Sequence, residues 1–541
     1  MLVIFLFVAV ISKLAAVMVV SGESLQVRAL EQWYRDVPLK AERGEILDAN
    51  GVLLASSQTT YVIYARPISC TNKELTARVL SEKLSLNYEK LLAKLNSKTS
   101  EITVKKGVDK SVVLDILSLG VTGVFVSRSI ERVYPYGDFL TQVMGFTNVD
   151  CVGQTGLESY YNSYLQGRDG YVCVASDLVG RKLSDDATYY VEGVKGASVT
   201  LTIQKNIQDA LENAVESCAL NTKAKSVSAI VMDPTDGSIL AMGTTPSFDL
   251  NDVPRDDVAT LMKLSRVSLV SDVFEPGSTF KMVTAALGLD SGKITTGYRS
   301  YCGGALVVDG QRIKCWRTIG HGSQSFSEGV ASSCNCLFMN IALSVGVDYF
   351  YEGMAKFGVT QKTGIDISGE ASGLTIPQES VKNVDLARIG FGQAVAMTPI
   401  ELLRACSAVI NGGNLVTPHI CSHITASDGS VIYQADSSVT PGIIKESTSA
   451  TMREVLETVV LTGSGKGAQV EGVRVGGKTG TAQKYENGAI ARGKYVSTFV
   501  GFAPVESPKY IALIVVDEPV GAYYGGLVAA PYVGQIFKSI F

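Results

Sequence analysis

The stretch Glu275-Pro-Gly-Ser278-Thr-Phe-Lys281 decides how this chain is interpreted, and it leads directly into the apolar run Met282–Asp290. Pro276 and Gly277 interrupt the preceding chain, and the apolar residues that follow recur at helical spacing. Ser278 is therefore expected in the first turn of a helix, with Lys281 one turn later on the same face. No other serine in the chain precedes a lysine by three residues.

This spacing brings an amine within reach of a hydroxyl at the positive end of a helix dipole. A serine hydroxyl is a weak nucleophile until a neighbouring base removes its proton. The Lys281 amine can act as that base only when it is neutral, which requires burial or a second cation nearby. The alternative for Ser278 is an ordinary helix N-cap, so further motifs must decide between the two.

Two such motifs follow along the chain. Ser333-Cys-Asn335 is an S-x-N motif, whose serine and asparagine could relay a proton to a leaving amine and bind a substrate amide. Lys478-Thr-Gly480 follows a strand-like Val473–Val475 and would present a cation, hydroxyl groups and bare backbone at a strand edge. Both patterns occur once more, as Ser85-Leu-Asn87 and Lys362-Thr-Gly364, so the ordered triple carries more weight than any one motif.

Length and composition limit the class of protein. With 541 residues and a net charge of -4, the chain is long enough for two or three domains and is not typical of nucleic-acid-binding proteins. Residues 1–20 are apolar except for Ser12 and Lys13, and roughly twenty such residues can span a bilayer. We expect a membrane anchor there, with a cleaved signal peptide as the alternative. No basic segment precedes the run, which leaves open a start further upstream.

Turn and periodicity signals divide the remaining chain. Asn50-Gly51 between two apolar runs predicts a hairpin. Val199–Ile203 has the pattern of a strand, residues 206–218 that of an amphipathic helix, and Ser228–Met242 that of a hairpin opening a new domain. Beyond it, strands and helices mix without βαβ regularity, which favours an α+β fold. The expected divisions are an anchor (1–20), a first domain (21–195), a linker strand and helix (196–223) and a second domain (224–541).

In this order, the three motifs resemble the signature of penicillin-binding transpeptidases and serine β-lactamases. RGEILDANG (43–51), RVYPYG (132–137) and GQTGLE (153–158) are similar to the pedestal motifs of class B penicillin-binding proteins. The resemblance covers nearly the whole chain after the anchor. Four further segments are similar to the transpeptidase framework of that family, namely MDPTDGSILAM, FGVTQKTGIDISGE, GFGQAVAMTPIELL and STFVGFAP. The resemblance implies an elongated mixed α/β pedestal domain, followed by a transpeptidase domain with a central antiparallel sheet flanked by helices.

The resemblance also implies roles for the motif residues. Ser278 would be the acylated nucleophile and Lys281 its general base. Ser333 and Asn335 would assist proton transfer and hold the substrate. Lys478 would supply the cation that keeps Lys281 neutral.

The K-T-G segment would bind the substrate through Thr479, Gly480 and Thr481, and the hydroxyl groups of Thr479 and Thr481 would meet the substrate carboxylate. The backbone N–H groups of Ser278 and Thr481 would form an oxyanion hole. The implied reaction is cross-linking of peptidoglycan stem peptides at D-Ala-D-Ala through an acyl-enzyme, with β-lactams as competing acylating agents. A D,D-carboxypeptidase, or a non-catalytic divisome scaffold or β-lactam sensor, is the alternative.

A second candidate site is formed by residues between the S-x-x-K and S-x-N motifs, together with the cysteine inside S-x-N. Two thiolates, one imidazole and one carboxylate make a reasonable tetrahedral zinc set, formed here by Asp309, Cys315, His321 and Cys334. A Cys315–Cys334 disulfide is the sharper alternative, and buried cysteines acting as small hydrophobes are another. Cys302 and Cys336 could take part, although Cys336 would point away from Cys334 in a regular segment.

The K-C-W, G-H-G and S-C-N segments resemble the sporulation-specific subgroup of class B enzymes in endospore-forming Firmicutes, some of which bind zinc here. That resemblance favours a structural zinc over a disulfide, and it implies no cofactor for the chemistry. It also implies a membrane glycosyltransferase of the SEDS family as partner, and no nucleic acid. The expected location is the cell membrane with the catalytic domain outside the cytoplasm, in sporulation between the forespore and mother-cell membranes.

Overall fold

The computed structural model describes residues 2–19, 25, 34–175, 189–486 and 489–541. Helix α1 occupies Leu2–Val19. Among the described residues, no helix combines the length and the apolar character needed to cross a membrane. The predicted anchor therefore stays a prediction, and its residues 1 and 20 lie outside the described part, as do segments of the predicted first domain.

The N-terminal domain consists of short helices around antiparallel strands. β2 and β3 pair across the turn at Asn50-Gly51, as the sequence predicts. The helices of an outer lobe pack their buried leucines on the sheet formed by β3, β4 and β5. The elements are β1 (Tyr34–Leu39), β2 (Ile46–Leu47), β3 (Leu53–Ala65), α2 (Lys73–Leu84), α3 (Tyr88–Leu95), β4 (Ile102–Val108), α4 (Lys110–Ser118), β5 (Val124–Val133), α5 (Thr141–Met144), α6 (Gly156–Tyr160), α7 (Asn162–Leu165), β6 (Gly170–Ala175) and β7 (Tyr189–Val191).

The C-terminal domain is built on a five-stranded antiparallel sheet of order β10-β9-β23-β22-β21. One face packs on the amphipathic helices α8 and α19, and the other on a larger helical core. The strands are β8 (Ser198–Leu201), β9 (Ser226–Met232), β10 (Ile239–Thr245), β11 (Arg299–Cys302), β12 (Ala305–Val308), β13 (Gln311–Lys314), β14 (Gly322–Ser325), β15 (Leu374–Thr375), β16 (Val395–Ala396), β17 (Leu415–Val416), β18 (Cys421–Thr425), β19 (Val431–Gln434), β20 (Val439–Thr440), β21 (Gly476–Glu486), β22 (Ala489–Ala503) and β23 (Tyr510–Asp517).

The helices between them give the α+β architecture that the sequence predicts. They are α8 (Lys205–Thr222), α9 (Val258–Leu264), α10 (Ser268–Ser271), α11 (Lys281–Asp290), α12 (Phe326–Ala331), α13 (Asn335–Val345), α14 (Val347–Lys356), α15 (Asn383–Ile389), α16 (Pro399–Ile410), α17 (Glu446–Leu461), α18 (Gly525–Val528) and α19 (Ala530–Ile540). α11 and α13 lie side by side in the helical core, so that their N-terminal ends meet near β21.

One sheet joins the two domains. β8 pairs in parallel with β2 of the N-terminal domain and antiparallel with β18 of the C-terminal domain. Close by, the buried Asp366 carboxylate accepts hydrogen bonds from the Tyr161 hydroxyl and from the N–H groups of Ile420 and Cys421. The strand and the carboxylate therefore hold the N-terminal domain against the back of the C-terminal domain.

The three pedestal-like motifs meet in a buried ion cluster. Glu158 is fully buried and accepts hydrogen bonds from Arg43 Nε and Arg132 Nε, each at 2.6 Å. Beside it, a Cβ on Gly44 would lie 1.8 Å from the carbonyl oxygen of Ala197, so only glycine fits there. Because a buried charge needs a partner, each motif depends on the others for its own stability.

Candidate active site

The turn that carries Ser278 is a 3₁₀ turn, Gly277–Phe280, which runs directly into α11 at Lys281. Ser278 thus precedes the α-helix rather than lying in its first α-helical turn. Gly277 has a positive φ of 51° and donates its N–H to the carbonyl of Gly392 at 3.0 Å. This geometry leaves Ser278 half-buried at the cleft and Lys281 buried beneath it.

Lys281 is held by the S-x-N motif. Its Nζ lies 2.7 Å from Asn335 Oδ1, 2.8 Å from the Ser333 carbonyl oxygen and 3.2 Å from Ser333 Oγ. Burial, which disfavours the ammonium form, lowers the pKa of Lys281 to about 7, against a smaller opposing effect of negative charge on nearby cysteines. The amine is therefore available in its neutral form near neutral pH, as a general base requires.

Lys478 approaches the same serine from the edge strand β21. Its Nζ lies 2.9 Å from Ser333 Oγ, so this hydroxyl connects the two buried amines. Burial holds the pKa of Lys478 well below its ordinary value, and the charge of Lys281 adds a smaller effect in the same direction. Ser333 has a φ of 55°, a region that residues with a Cβ seldom occupy, and its position is thus fixed by these contacts.

The three motifs line one cleft of about 860 Å³. The predicted residues at this cleft are Ser278, Ser333, Asn335, Thr479, Gly480 and Thr481, above the buried Lys281 and Lys478. Among the described residues that line the cleft, none is an aspartate or a glutamate, and Lys466 is the one charged side chain. The sequence did not indicate several further lining residues, which are Trp316, Phe391, Gln393, Ser464, Lys466 and Tyr524.

The K-T-G-T segment forms one wall of the cleft. Thr479 Oγ1 lies 2.8 Å from Ser464 Oγ, and Thr481 Oγ1 accepts a hydrogen bond from the Gly525 N–H at 3.0 Å. A Cβ on Gly480 would lie 2.2 Å from Thr498 Oγ1 and 3.0 Å from the carbonyl oxygen of Pro276. The glycine therefore lets β21 lie against the turn that carries the nucleophile.

Four buried cysteines converge behind the S-x-N motif. The sulfurs of Cys302, Cys315, Cys334 and Cys336 all lie within 4.8 Å of one another, and all four are free thiols rather than disulfides. The prediction that Cys336 points away from Cys334 is wrong. Cys334 has extended backbone and caps α13, so the segment is not regular and both sulfurs reach the same side. We call this group the thiol cluster.

The other two predicted zinc ligands, Asp309 and His321, are not among the four sulfurs of the thiol cluster. Asp309 is exposed at the turn between β12 and β13, where its carboxylate accepts a hydrogen bond from Asn383 Nδ2 at 3.3 Å. His321 lies beside the thiol cluster, with Nδ1 3.7 Å from Cys315 Sγ and a buried Nε2 that has no hydrogen-bond partner. The structure thus groups Cys315 and Cys334 with Cys302 and Cys336, and places His321 beside them.

The thiol cluster fits a tetrahedral metal ion. Zinc–sulfur bonds of about 2.3 Å place four sulfurs roughly 3.8 Å apart, so small movements would close the group around one ion. Hydrogen bonds from the thiols of Cys334 and Cys336 lower the pKa of Cys315, which favours a thiolate in the cluster. A buried thiolate is most stable when a cation faces it, and a metal ion would supply that charge.

Comparison with known proteins agrees with this geometry. Residues 227–540 match the family model of the penicillin-binding protein transpeptidase domain, and residues 38–201 match that of the penicillin-binding protein dimerisation domain. The chain is 36% identical to stage V sporulation protein D of Bacillus subtilis, over 99% of this chain and 83% of that protein. It is 29% identical to the probable peptidoglycan D,D-transpeptidase PenA of Neisseria meningitidis serogroup A, over 97% and 88% of the two chains.

Among solved structures, penicillin binding protein 2X from Streptococcus thermophilus has the same fold. The TM-score is 0.80 at 24% sequence identity, with 94% of this chain and 80% of that chain covered. Both domains, the order of the motifs and the cleft that they line agree with one family. The chain belongs to the penicillin-binding protein transpeptidase family, in the two-domain form that carries a dimerisation domain.

Proposed function

We propose that this protein is a peptidoglycan D,D-transpeptidase that works through an acyl-enzyme at Ser278. The observation that carries the proposal is the buried Lys281 amine, held by Ser333 and Asn335 at the base of the cleft. A neutral amine in this place can take the proton of a neighbouring hydroxyl. No bound cofactor is required for that step.

In the proposed acylation, Ser278 Oγ attacks the carbonyl carbon of the penultimate D-Ala, and its proton passes to Lys281. The developing oxyanion accepts hydrogen bonds from the backbone N–H groups of Ser278 and Thr481. The close approach of the two segments supports this, because a Cβ on Gly277 would lie 3.4 Å from the carbonyl oxygen of Thr481. One such donor is typically worth about 10²–10³ in rate.

The intermediate then collapses, the carbon–nitrogen bond breaks, and the leaving D-Ala amine receives a proton. Ser333 is the proposed relay, since its hydroxyl connects Lys281 and Lys478. Thr479 and Thr481 bind the terminal carboxylate. An amine of a second stem peptide next attacks the Ser278 ester, its proton returns through Lys281, and the serine hydroxyl is regenerated. A β-lactam enters the same first step, because opening of its ring leaves an acyl group on Ser278.

We further propose a role in sporulation, in the membrane, beside a glycosyltransferase of the SEDS family. The support for sporulation is the relative named stage V sporulation protein D, which aligns with 99% of this chain. The support for a membrane location is the apolar run at residues 1–20. An in vivo cross-linking experiment from the N-terminal domain would identify the partner, and recovery of soluble enzymes alone would contradict this part of the proposal.

We also propose that the thiol cluster holds one structural zinc ion through Cys302, Cys315, Cys334 and Cys336. The ion would neutralise the buried thiolates and tie the end of β11 and the segment after β13 to the start of α13. His321 would pack against this site. Metal analysis of the purified protein tests the proposal directly: one zinc per chain is expected, and a metal-free protein with intact thiols would contradict it.

The experiment that tests the central activity uses a synthetic stem pentapeptide and an acceptor amine. Wild-type protein is expected to release D-Ala and to form a cross-linked product, and Ser278→Ala to form neither. Release of D-Ala without cross-linking would assign a D,D-carboxypeptidase instead. Absence of both, together with absence of a penicillin adduct on Ser278, would leave the non-catalytic scaffold or sensor.

A further inference from the structure

We propose that Trp316 is a positioning residue for acylation, which fixes the backbone of Ser332 and Ser333 beneath the cleft. The inference rests on the proposed roles of Ser278 and Lys281. Trp316 would not contact the reacting atoms through its N–H group. It would act through the Ser333 carbonyl, which is also a hydrogen-bond acceptor of the Lys281 amine.

The contacts of the indole are specific. Trp316 Nε1–H donates to the carbonyl oxygens of Ser332 at 3.2 Å and Ser333 at 3.1 Å. The same Ser333 oxygen accepts a hydrogen bond from Lys281 Nζ at 2.8 Å. A carbonyl oxygen has two lone pairs and can accept from both donors at once. One backbone group therefore joins the indole to the buried amine.

Backbone strain at Ser333 explains why this support matters. Its φ of 55° costs conformational energy for a residue with a Cβ, so the surrounding contacts must hold it in place. Its contacts include the two lysine amines, the Trp316 N–H and a hydrogen bond from its own N–H to the Val330 carbonyl at 3.1 Å. Loss of the N–H would let Ser333 relax and move both its carbonyl and its hydroxyl away from Lys281.

The indole is itself well anchored although it is half exposed. It follows Cys315 of the thiol cluster directly in the chain, and its ring lies edge-on to His321 with 5.3 Å between the ring centres. In addition, 56% of its surface is accessible, and the residue lines the cleft together with Ser278. A tryptophan so exposed gains little from burial, so its hydrogen bonds account better for its placement.

The test measures penicillin acylation of the full chain and separates the acylation rate constant from the half-saturation concentration. Trp316→Phe keeps an aromatic ring and removes the N–H, whereas Trp316→Leu removes both. Tyr301→Phe, on the exposed face of the neighbouring β11, is the matched control and should behave like wild type. For Trp316→Phe we expect the rate constant to fall about tenfold, as for one lost hydrogen bond, with less than a twofold change in half-saturation.

Replacement of Trp316 by 3-benzothienylalanine, which has the same shape and no N–H, repeats the test where Trp316→Phe does not fold. It should show the same loss at an unchanged melting temperature. If either N–H-free protein acylates at the wild-type rate, the indole is only a wall of the cleft and the proposal is overturned. If wild-type protein forms no adduct at Ser278, the proposed function itself fails, which is a different result.

Discussion

The cleft and the thiol cluster lie on opposite sides of one segment, Ser333–Cys336. Ser333 and Asn335 contact Lys281 on the cleft side, while Cys334 and Cys336 belong to the thiol cluster on the other. Hydrogen bonds between fixed polar groups hold the cleft together. The thiol cluster has four close sulfurs and needs a cation to be stable as thiolates. The cleft is thus preorganised, and the thiol cluster is the region whose state can change.

Because the two regions share these four residues, a change in the thiol cluster should reach Lys281 through the backbone of Ser333. It should also act through charge on Cys315, Cys334 and Cys336, which opposes the lowering of the Lys281 pKa. The reverse is not expected, since side-chain changes in the cleft leave the four sulfurs in place. The dependence therefore runs in one direction, from the thiol cluster to the cleft.

Removal of the base should have the largest effect. Lys281→Met keeps a long apolar side chain in the buried site and removes the amine, and we expect penicillin acylation of Ser278 to slow by about 10³-fold. Metal content should be unchanged. Lys356→Met on the exposed face of α14 is the control and should match wild type. Acylation of Lys281→Met at the wild-type rate would exclude Lys281 as the base.

Acidification should act on the cleft through the same amine. The pKa of Lys281 is lowered by burial from 10.5 to about 7, so the base becomes protonated below neutral pH. Acylation should fall roughly 50-fold between pH 7 and pH 5, with a slope that approaches about tenfold per pH unit well below the pKa. Between pH 7 and 10.5 the unfolded chain binds a proton that the folded one excludes, so this lysine makes stability rise with pH. A rate independent of pH from 5 to 8 would contradict the assignment.

Loss of one sulfur from the thiol cluster should slow acylation by a smaller factor, because its effect on the cleft is indirect. Cys336→Ala is expected to abolish metal binding and to slow acylation by about tenfold, because α13 and Ser333 lose a fixed support. Cys406→Ala is the matched control, since Cys406 is equally buried but lies in α16, outside the thiol cluster. It should lower stability without changing metal content or acylation. Equal effects of the two substitutions would mean that Cys336 only fills space.

The smallest effect is expected at the carboxylate that the sequence had favoured as a ligand. Asp309→Asn should leave metal content and acylation within twofold of wild type, because the side chain lies at an exposed hairpin turn. Metal analysis and acylation kinetics on one preparation would check this. A metal-free Asp309→Asn protein would restore Asp309 to the ligand set.

Sequence reasoning identified the cleft through local spacing. Ser278 and Lys281 are three residues apart, and each of the other motifs is equally short, so no knowledge of the fold was needed to find them. Their convergence followed from the family resemblance. Trp316 could not be found in this way, because its role depends on which carbonyl groups its N–H meets, and nothing in its neighbouring residues indicates them.

The thiol cluster was predicted only in part for a related reason. Cys302 and Cys315 come together through the pairing of β11 with β14 and of β12 with β13, which the sequence did not indicate. Asp309 lies outside the thiol cluster, at the tight hairpin turn that the pair Asp309-Gly310 indicates, and both residues have positive φ angles. The turn signal at Asp309-Gly310 was therefore a better guide to its position than its ability to act as a zinc ligand.

The central claim is that the cleft depends on the state of the thiol cluster. Its most direct test is the acylation rate of Ser278 before and after removal of metal. Intact-protein mass spectrometry would follow the penicillin adduct on wild-type protein as purified, after treatment with a zinc chelator under reducing conditions, and after zinc is restored. We expect acylation to slow on chelation and to recover with zinc, while Ser278→Ala forms no adduct in any state. Acylation that proceeds equally fast without metal, in a protein whose thiols remain reduced, would contradict the account.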